Sequence, residues 1–261
     1  MVSQATESIS VFSSGSAKYE EAFLAFLHHT DQKVQAKSKI TEVIDRLDAL
    51  PGQSGKGKFI DVGAATGDVT AWFMPRFDET ICVEPNTHFE SSIRQHCPGA
   101  EIIQKTILEN DPARLAGASF ILCSHVLYYI DPEQRLENLQ AMAQWLGEGG
   151  ILLVILQQST TDCMKMLDHF LDMHFDLPAI ADRFAAQSGG AFDVSFEKID
   201  SHVTTSTFDV AYQIAEFMLN LLPMINPPKR CDLEAYIREH FQTADGYRFS
   251  CSQDFLIVRR K

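Results

Sequence analysis

The sequence lacks any extended stretch of positive charge. Among its 261 residues, 22 lysines and arginines stand against 35 aspartates and glutamates, which gives a formal net charge of −13. The longest basic run is Arg259-Arg260-Lys261. A nucleic-acid site would need a basic stripe that follows the phosphates, so we expect no nucleic-acid partner. The acidic balance favours solubility or, alternatively, a cationic ligand.

Cysteine pairs and long hydrophobic runs are also missing. The six cysteines form no C-x-x-C pair, and Cys82 and Cys123 fall in predicted buried strands, which indicates reduced thiols. No run approaches the ~18 apolar residues of a membrane-spanning helix. The first residues have neither the basic nor the apolar region of a signal peptide. We therefore expect a cytoplasmic protein without membrane contacts, as either a monomer or a homodimer.

From residue 58 onwards, short apolar strands alternate with amphipathic helices. Apolar residues make up 45% of the chain, which is enough for a substantial core. Repeated β-α units imply a parallel sheet with right-handed crossovers and helices on both faces. The predicted strands are 58–62, 80–84, 101–105, 118–124 and 151–156; the predicted helices between them are 67–74, 87–96 and one capped by Asp131.

The segments before and after this α/β core do not follow the regular alternation of strands and helices. Helices 17–29 and 31–50 precede it, and the loop 51–57 is rich in helix-breaking residues. After the core, the predicted elements are helices 161–176 and 178–187, strand 192–205, helix 208–222 ended by Pro223, helix 232–241 and a last strand 247–259. We expect a single compact domain with three parts. These are an N-terminal helical cap (1–54), the α/β core (55–160) and a C-terminal part (161–261) with a helical insertion before an antiparallel last strand.

The segment FIDVGAATGDVT, residues 59–70, has the pattern of a strand, a small-residue turn and a helix. This pattern places unpaired N–H groups and a helix N-terminus at the carboxyl edge of the sheet, where α/β folds bind cofactors. Glu84 ends the second strand, where a carboxylate can accept hydrogen bonds from both ribose hydroxyls of an adenosine. The turn residues that we assign to a cofactor are Asp61, Gly63, Ala64, Ala65 and Gly67.

The spacing of this turn distinguishes between nucleotides. A dinucleotide fingerprint would be G-x-G-x-x-G with a pyrophosphate at the helix N-terminus, whereas Asp68 here would repel a phosphate. The residues instead resemble the Rossmann-like S-adenosylmethionine-dependent methyltransferases, whose first motif is an acid-x-G-x-G-x-G. In this chain Ala65 replaces the middle glycine.

The resemblance covers about residues 55 to 160 and implies a seven-stranded, mostly parallel Rossmann-like sheet. It also implies S-adenosyl-L-methionine as the cofactor and S-adenosyl-L-homocysteine as the product. The ribose would lie at Glu84, the adenine at the end of the third strand and the methionine moiety after the fourth. An acid is common in the family where Thr106 stands here. The residues implied beyond the turn are Glu84, Pro85, Thr106, Ile107, Ser124 and His125.

A narrower resemblance, to the histamine N-methyltransferase-like small-molecule methyltransferases, rests on an N-terminal K-Y-x-x-x-F-x-x-F-L and a later L-Y-Y. These motifs are Lys18, Tyr19, Phe23, Phe26, Leu27, Leu127, Tyr128 and Tyr129. They imply that Tyr19 contacts the cofactor and that Phe23, Tyr128 and Tyr129 line the acceptor pocket. An acid that contacts the acceptor amine falls at Asp31 or Gln32. The family's asparagine contact falls at Cys251, so its acceptor is not carried over.

The expected chemistry is in-line methyl transfer, in which the protein mainly aligns the reacting groups. Aromatic faces such as those of Tyr19 and Tyr129 suit a cationic sulfonium, although Phe23 fits plain core packing equally well. His125 and Tyr129 are the catalytic candidates, and we expect no metal. The predicted function is transfer of a methyl group to a small amine- or aromatic-ring-bearing metabolite. The alternatives are a non-catalytic nucleotide-binding protein and an NAD-dependent dehydrogenase.

Overall fold

Two β-sheets organise the structure, a computed structural model that describes residues 7–12, 17–49, 57–222 and 224–261. The strands are β1 (Lys58–Val62), β2 (Glu79–Val83), β3 (Glu101–Ile103), β4 (Ala118–Ser124), β5 (Leu146–Gln157), β6 (Phe192–Ile199), β7 (His202–Thr205), β8 (Gln242–Thr243), β9 (Gly246–Ser250) and β10 (Gln253–Arg260). Seven strands follow the order β3-β2-β1-β4-β5-β10-β6, and three follow β7-β9-β8. The pairs from β3 to β5 are parallel and β10 is antiparallel, which confirms the predicted sheet.

Within the described residues, ten α-helices connect and flank the strands. They are α1 (Ala17–His29), α2 (Gln32–Asp48), α3 (Asp68–Phe73), α4 (Glu90–His96), α5 (Pro112–Leu115), α6 (Arg135–Gln144), α7 (Asp162–Leu171), α8 (Leu177–Gln187), α9 (Phe208–Leu219) and α10 (Arg230–His240). Helix α1 has the predicted bounds, the short helix α5 was not predicted, and the others differ from prediction by a few residues at their ends. No helix of the described part of the chain is both long enough and apolar enough to cross a membrane.

The central parallel strands form the core of the large sheet. Phe59 of β1 pairs with Phe120 of β4, and their rings lie 5.7 Å apart, centroid to centroid. The ring of Phe77 lies 5.1 Å from that of Phe59. The residues of β5 from Leu152 to Leu156 are fully buried. Strands that are covered on both faces bury every residue, which explains their continuous apolar sequence.

The chain folds into two compact units, each made of separate segments. One unit comprises the residues up to Ala36 together with Gln157–Asp176 and Lys198–Gln253, and it contains α1, α9 and the three-stranded sheet. The other comprises Lys37–Leu156, Leu177–Glu197 and Asp254–Lys261, and it contains nearly all of the seven-stranded sheet. We call them the helical unit and the sheet unit.

Two segments that were each predicted as one strand form two strands in the structure. The segment predicted as strand 192–205 is β6 and β7, and the segment predicted as 247–259 is β9 and β10. The residues at the two interruptions are hydrogen-bonded to each other. The Cys251 N–H donates to the Ser201 carbonyl (2.8 Å), and the Ser201 N–H donates to Ser252 Oγ (3.3 Å). A run of polar residues stands at or beside each interruption, Asp200-Ser201-His202 and Ser252-Gln253-Asp254, and the prediction did not treat it as a break.

Two helix ends also differ from prediction. Helix α6 begins at Arg135 rather than after Asp131, whose carbonyl instead accepts the N–H of Gln134 in a turn. Helix α7 ends at Leu171 because Asp172 adopts a left-handed conformation (φ 52°). Residues 51–56 of the predicted loop 51–57 lie outside the described residues. The same holds for Pro223, where the predicted helix 208–222 ends.

Candidate functional site

The glycine turn between β1 and α3 has a backbone that few residues tolerate. Gly63, Ala65 and Gly67 all have positive φ, at 74°, 47° and 83°. A Cβ at Gly63 would lie 2.3 Å from Cγ2 of Val126, so only glycine fits there. Ala65 is a non-glycine residue in the left-handed region, a conformation that persists only when surrounding contacts enforce it.

Glu84 provides one of those contacts. Its Oε2 accepts the N–H of Ala65 (3.0 Å), and its Oε1 accepts the N–H of Asn86 (2.9 Å). The side chain is nearly buried, at 7% exposure. Each carboxylate oxygen has more than one lone pair, so both can accept a further hydrogen bond. Glu84 therefore fixes the glycine turn and retains the capacity to bind a pair of hydroxyls.

Asp61 lies inside the protein at the end of β1. It is only 3% exposed, and its Oδ2 accepts a hydrogen bond of 2.5 Å from the Thr70 hydroxyl. Burial raises the pKa of Asp61 to about 7, and the nearby negative charge of Glu84 adds to the increase, while the Thr70 bond opposes it. The carboxyl group joins the strand that enters the turn to the helix that leaves it.

A cleft of about 290 Å³ opens at the carboxyl ends of the first four strands. Five of its residues were predicted as site residues: Gly63, Pro85, Thr106, Ile107 and Tyr129. The rest are Val62, Val83, Lys105, Leu108, Val126, Ile130, Asp131, Gln134 and Asn138. The walls are mainly aliphatic, and the polar groups come from the end of β3 and the start of α6.

Thr106 stands where the resemblance leads one to expect an acid, and it is hydrogen-bonded to Glu109. The hydroxyl of Thr106 and its backbone N–H both donate to Glu109 Oε2, each at 2.8 Å. With its hydrogen committed to Glu109, the hydroxyl oxygen presents only lone pairs to other partners. Thr106 can thus act as an acceptor in the cleft, as a carboxylate would.

The connection after β4 contains three of the predicted residues. His125 has a positive φ of 58°, and its ring centroid lies 5.9 Å from that of Tyr128. The residue is half-buried, and burial lowers the pKa of His125 to about 4. Its imidazole is therefore neutral at neutral pH. Tyr129 is 61% exposed and lines the cleft, whereas Ser124, Tyr128 and His125 are not among the residues that line it.

The helical unit contains Tyr19 and Phe23, both half-buried on α1. Phe217 of α9 is fully buried and packs against both, with ring centroids 5.5 Å from Tyr19 and 5.7 Å from Phe23. Phe26 lies 5.8 Å from the same ring. Burial raises the pKa of the Tyr19 hydroxyl. Core packing therefore accounts for part of this aromatic cluster, and the ligand roles of Tyr19 and Phe23 remain predictions.

The same unit places Asp31 and Gln32 differently. Gln32 is buried, and its Nε2 donates to the carbonyl of Cys251 at 2.7 Å. Asp31 is exposed, and its carboxylate accepts a long hydrogen bond from Gln35 Nε2 (3.4 Å). The Cys251 side chain is fully buried beside the Thr30 hydroxyl. Of the two alternatives for contact with an acceptor, Asp31 has the accessible polar group.

Comparison with known proteins places this architecture in a family. The family described as "Methyltransferase domain" matches residues 29–205, about two thirds of the chain. The chain belongs to the methyltransferase domain family. The match includes the glycine turn, Glu84 and every residue that lines the cleft.

Individual relatives of this methyltransferase domain are distant. Human thiol S-methyltransferase TMT1B is 26% identical over 129 residues, which cover 47% of this chain and 51% of that protein. The chain thus spans about half the length of this curated relative.

The solved structures with a similar fold include two that carry the name of a methyltransferase. A proposed methyltransferase from Bacillus halodurans C-125 is 14% identical with a TM-score of 0.60, covering 84% of this chain and 97% of its own. N-methyltransferase NodS from Bradyrhizobium japonicum WM9, in complex with S-adenosyl-L-homocysteine, is 12% identical with a TM-score of 0.54, covering 94% and 99%.

Sequence reasoning missed one wall of the cleft in this methyltransferase domain. Ile130, Asp131, Gln134 and Asn138 all come from the connection between β4 and α6 or from the helix itself. We had assigned Asp131 only as a helix cap. A usable signal was available, because ligands in open α/β sheets bind outside the carboxyl ends of the strands. Applied to β4, that rule points to the whole connection rather than to the Tyr128-Tyr129 pair.

Proposed function

We propose that this protein transfers the methyl group of S-adenosyl-L-methionine to a small-molecule acceptor. The observation that carries the proposal is the link between the glycine turn and Glu84, at the edge of a cleft formed by the carboxyl ends of the parallel strands. Membership in the methyltransferase domain family and the fold shared with NodS support it.

The residues of the cleft fit this cofactor. Glu84 has acceptor capacity for two ribose hydroxyls, and Asp68 follows the turn where a dinucleotide would need to place a phosphate. Aliphatic walls such as Val83 and Ile107 suit the faces of a purine, and the acceptor oxygen of Thr106 suits an amino group at its edge. A nicotinamide dinucleotide fits these groups less well.

Bound S-adenosyl-L-methionine supplies an electrophilic methyl group on a positively charged sulfur. The chain itself has to orient the acceptor, exclude water and accept a proton where the acceptor loses one. We assign proton acceptance to the imidazole of His125, because it directly follows β4 at the carboxyl edge of the sheet and its lowered pKa keeps the ring neutral at neutral pH. Tyr129 is assigned to the cleft wall, where its exposed ring can cover a ligand. Tyr19, Phe23 and Asp31 remain predictions for ligand contacts, as does a cytoplasmic location.

Two acceptor classes are in competition. An amine or an aromatic metabolite fits the aromatic candidates and the acidic balance of the chain. A thiol is favoured by the name of the human relative, and a thiol must lose its proton to become a good nucleophile.

Calorimetry and an acceptor panel test the proposal. We expect S-adenosyl-L-methionine and S-adenosyl-L-homocysteine to bind, and NAD not to bind. Incubation with methyl-labelled donor and separate amines, phenols and thiols should label one class. Failure of both sulfur nucleotides to bind would disprove the cofactor assignment. Binding without transfer to any acceptor would favour a non-catalytic binding protein.

A further inference from the structure

Three side chains of the α4 segment reach the carbonyl groups of the glycine turn. Ser92 Oγ–H donates to the Thr66 carbonyl (3.0 Å), and Nδ1 of His96 donates to the same oxygen (2.8 Å). The Cys97 thiol donates to the Gly67 carbonyl (3.2 Å). We call Ser92, His96 and Cys97 the α4 clamp. All three lie outside the set of residues that line the cleft.

The clamp holds the end of the turn and the start of α3 together. The Gly67 carbonyl accepts the N–H of Ala71 (2.9 Å), the first helical bond of α3, as well as the Cys97 thiol. A Cβ at Gly67 would lie 3.1 Å from Cys97 Sγ, so the sulfur packs directly against this backbone. Because a peptide unit is planar, fixing the carbonyls of residues 66 and 67 also fixes the directions of the N–H groups that follow them.

A turn of this kind needs external support. Three of its five residues have positive φ, and one of them is Ala65. Such conformations cost free energy, and glycine-rich segments lose much conformational entropy when they become ordered. Glu84 restrains the middle of the turn through Ala65 N–H, and the clamp restrains its end. Without either restraint, a ligand would have to order the turn as it bound and would bind more weakly.

We propose that Ser92, His96 and Cys97 are positioning residues that hold the glycine turn in its cofactor-binding conformation. The inference rests on the proposed function, since it takes this turn as the segment that binds the cofactor. The clamp bonds to the turn and not to the residues that line the cleft, so it acts on the affinity of the cofactor through the turn, and we expect no effect on the acceptor.

The charged group nearest to the clamp is consistent with this role. Asp68 Oδ1 lies 3.4 Å from His96 Nδ1, and Asp68 Oδ2 accepts a hydrogen bond from the Thr66 hydroxyl (3.1 Å). Asp68 thus accepts a hydrogen bond from the turn and lies beside His96 of the clamp. The N–H at His96 Nδ1 is present both in the Nδ1-protonated neutral ring and in the imidazolium, so the contact does not require a charged histidine.

The decisive variant is the double substitution Ser92→Ala/His96→Ala. Its matched control is Ser91→Ala/His88→Ala, which changes the same residue types at an exposed position of α4 and an exposed position just before it. Calorimetry with S-adenosyl-L-homocysteine should show an approximately tenfold weaker affinity for the double variant and an unchanged affinity for the control. The acceptor KM and the kcat at saturating donor should stay at wild-type values. The single variant His96→Asn, in which Ser92 is unchanged, retains a donor near the Nδ1 position and should bind S-adenosyl-L-homocysteine with nearly wild-type affinity.

Hydrogen exchange separates positioning from a general loss of stability. In the unliganded double variant, we expect faster amide exchange in the peptide that contains residues 63–71 and wild-type exchange in β4 and β5. Equal acceleration throughout the sheet unit would overturn the proposal, and so would wild-type affinity for S-adenosyl-L-homocysteine. If the double variant fails to fold, Ser92→Ala alone is measured, with Ser91→Ala as its control. If wild-type protein binds neither sulfur nucleotide, the proposed function fails, while the exchange measurement still tests the clamp.

Discussion

At the scale of single residues, the site depends on polar groups that link neighbouring segments. Glu84 joins the turn after β1 to the turn after β2, and Asp61 joins β1 to α3. The sequence identified both acids from their positions at strand ends. It could not distinguish their environments, because the partner Thr70 and the depth of burial follow from how α3 packs on the sheet. Glu84 lies beside residues that line the cleft, and Asp61 is enclosed.

Replacing Glu84 with Ala should weaken cofactor binding. The variant removes the acceptor proposed for the ribose and also the restraint on Ala65, so we expect a loss of about 1–3 kcal/mol in the binding of S-adenosyl-L-homocysteine. Calorimetry measures this loss of affinity. The control is Glu79→Ala, because Glu79 is an exposed acid at the first position of β2, the strand that Glu84 follows. Wild-type affinity in Glu84→Ala would refute the ribose assignment.

Asp61 should make stability depend on pH. Its pKa of about 7 in the folded protein lies above the ordinary value of about 3.9, so the folded state retains a proton that the unfolded state has released. The contribution of Asp61 to the free energy of unfolding is therefore fully present below pH 4, falls as the pH rises and levels off above pH 7.

Asp61→Asn should remove this part of the pH dependence. The difference in unfolding free energy between wild type and variant should change by at most about 1.4 kcal/mol per pH unit between pH 4 and 7. Urea unfolding at a series of pH values gives both curves. Parallel curves for the two proteins would show that Asp61 has an ordinary pKa.

At the scale of secondary-structure elements, local pattern was sufficient for some segments and failed for others. Helix α1 and strand β4 have the predicted bounds, since their apolar spacing and ends are encoded within the segment. The segment 192–205 was misread as one strand. Its two halves belong to different sheets because Ser201 bonds to residues fifty positions later, and an alternation pattern contains no information about such partners.

The contact between α1 and α9 gives a prediction at this scale. Phe217 is fully buried among Tyr19, Phe23 and Phe26, so Phe217→Ala should destabilise the protein by about 3–5 kcal/mol through lost contacts and a cavity. Leu24→Ala, on the exposed side of α1, should change stability by less than about 0.5 kcal/mol. Urea unfolding compares them. A small effect of Phe217→Ala would mean that the two helices are only loosely packed.

At the scale of the whole molecule, ligand binding should stabilise the folded state. S-adenosyl-L-homocysteine at one hundred times its dissociation constant should add about 2.7 kcal/mol to the unfolding free energy. Thermal unfolding monitored by fluorescence should show a higher midpoint with this ligand and an unchanged midpoint with NAD. At the same ligand concentration, Glu84→Ala should show a smaller increase. A shift with NAD that matches the shift with S-adenosyl-L-homocysteine would contradict the choice of cofactor.

The sequence alone determined the alternation of strands and helices, the parallel sheet and the glycine turn with its partner acid at the next strand end. These features follow from local periodicity and from the positive φ that Gly63 and Gly67 allow. Only the tertiary structure decided that Asp131, Gln134 and Asn138 line the cleft, that Asp61 is enclosed and that α4 restrains the turn. The physical reason is that these contacts join residues far apart in the chain. Their proximity depends on the order of the strands and on the packing of the helices, which local patterns do not specify.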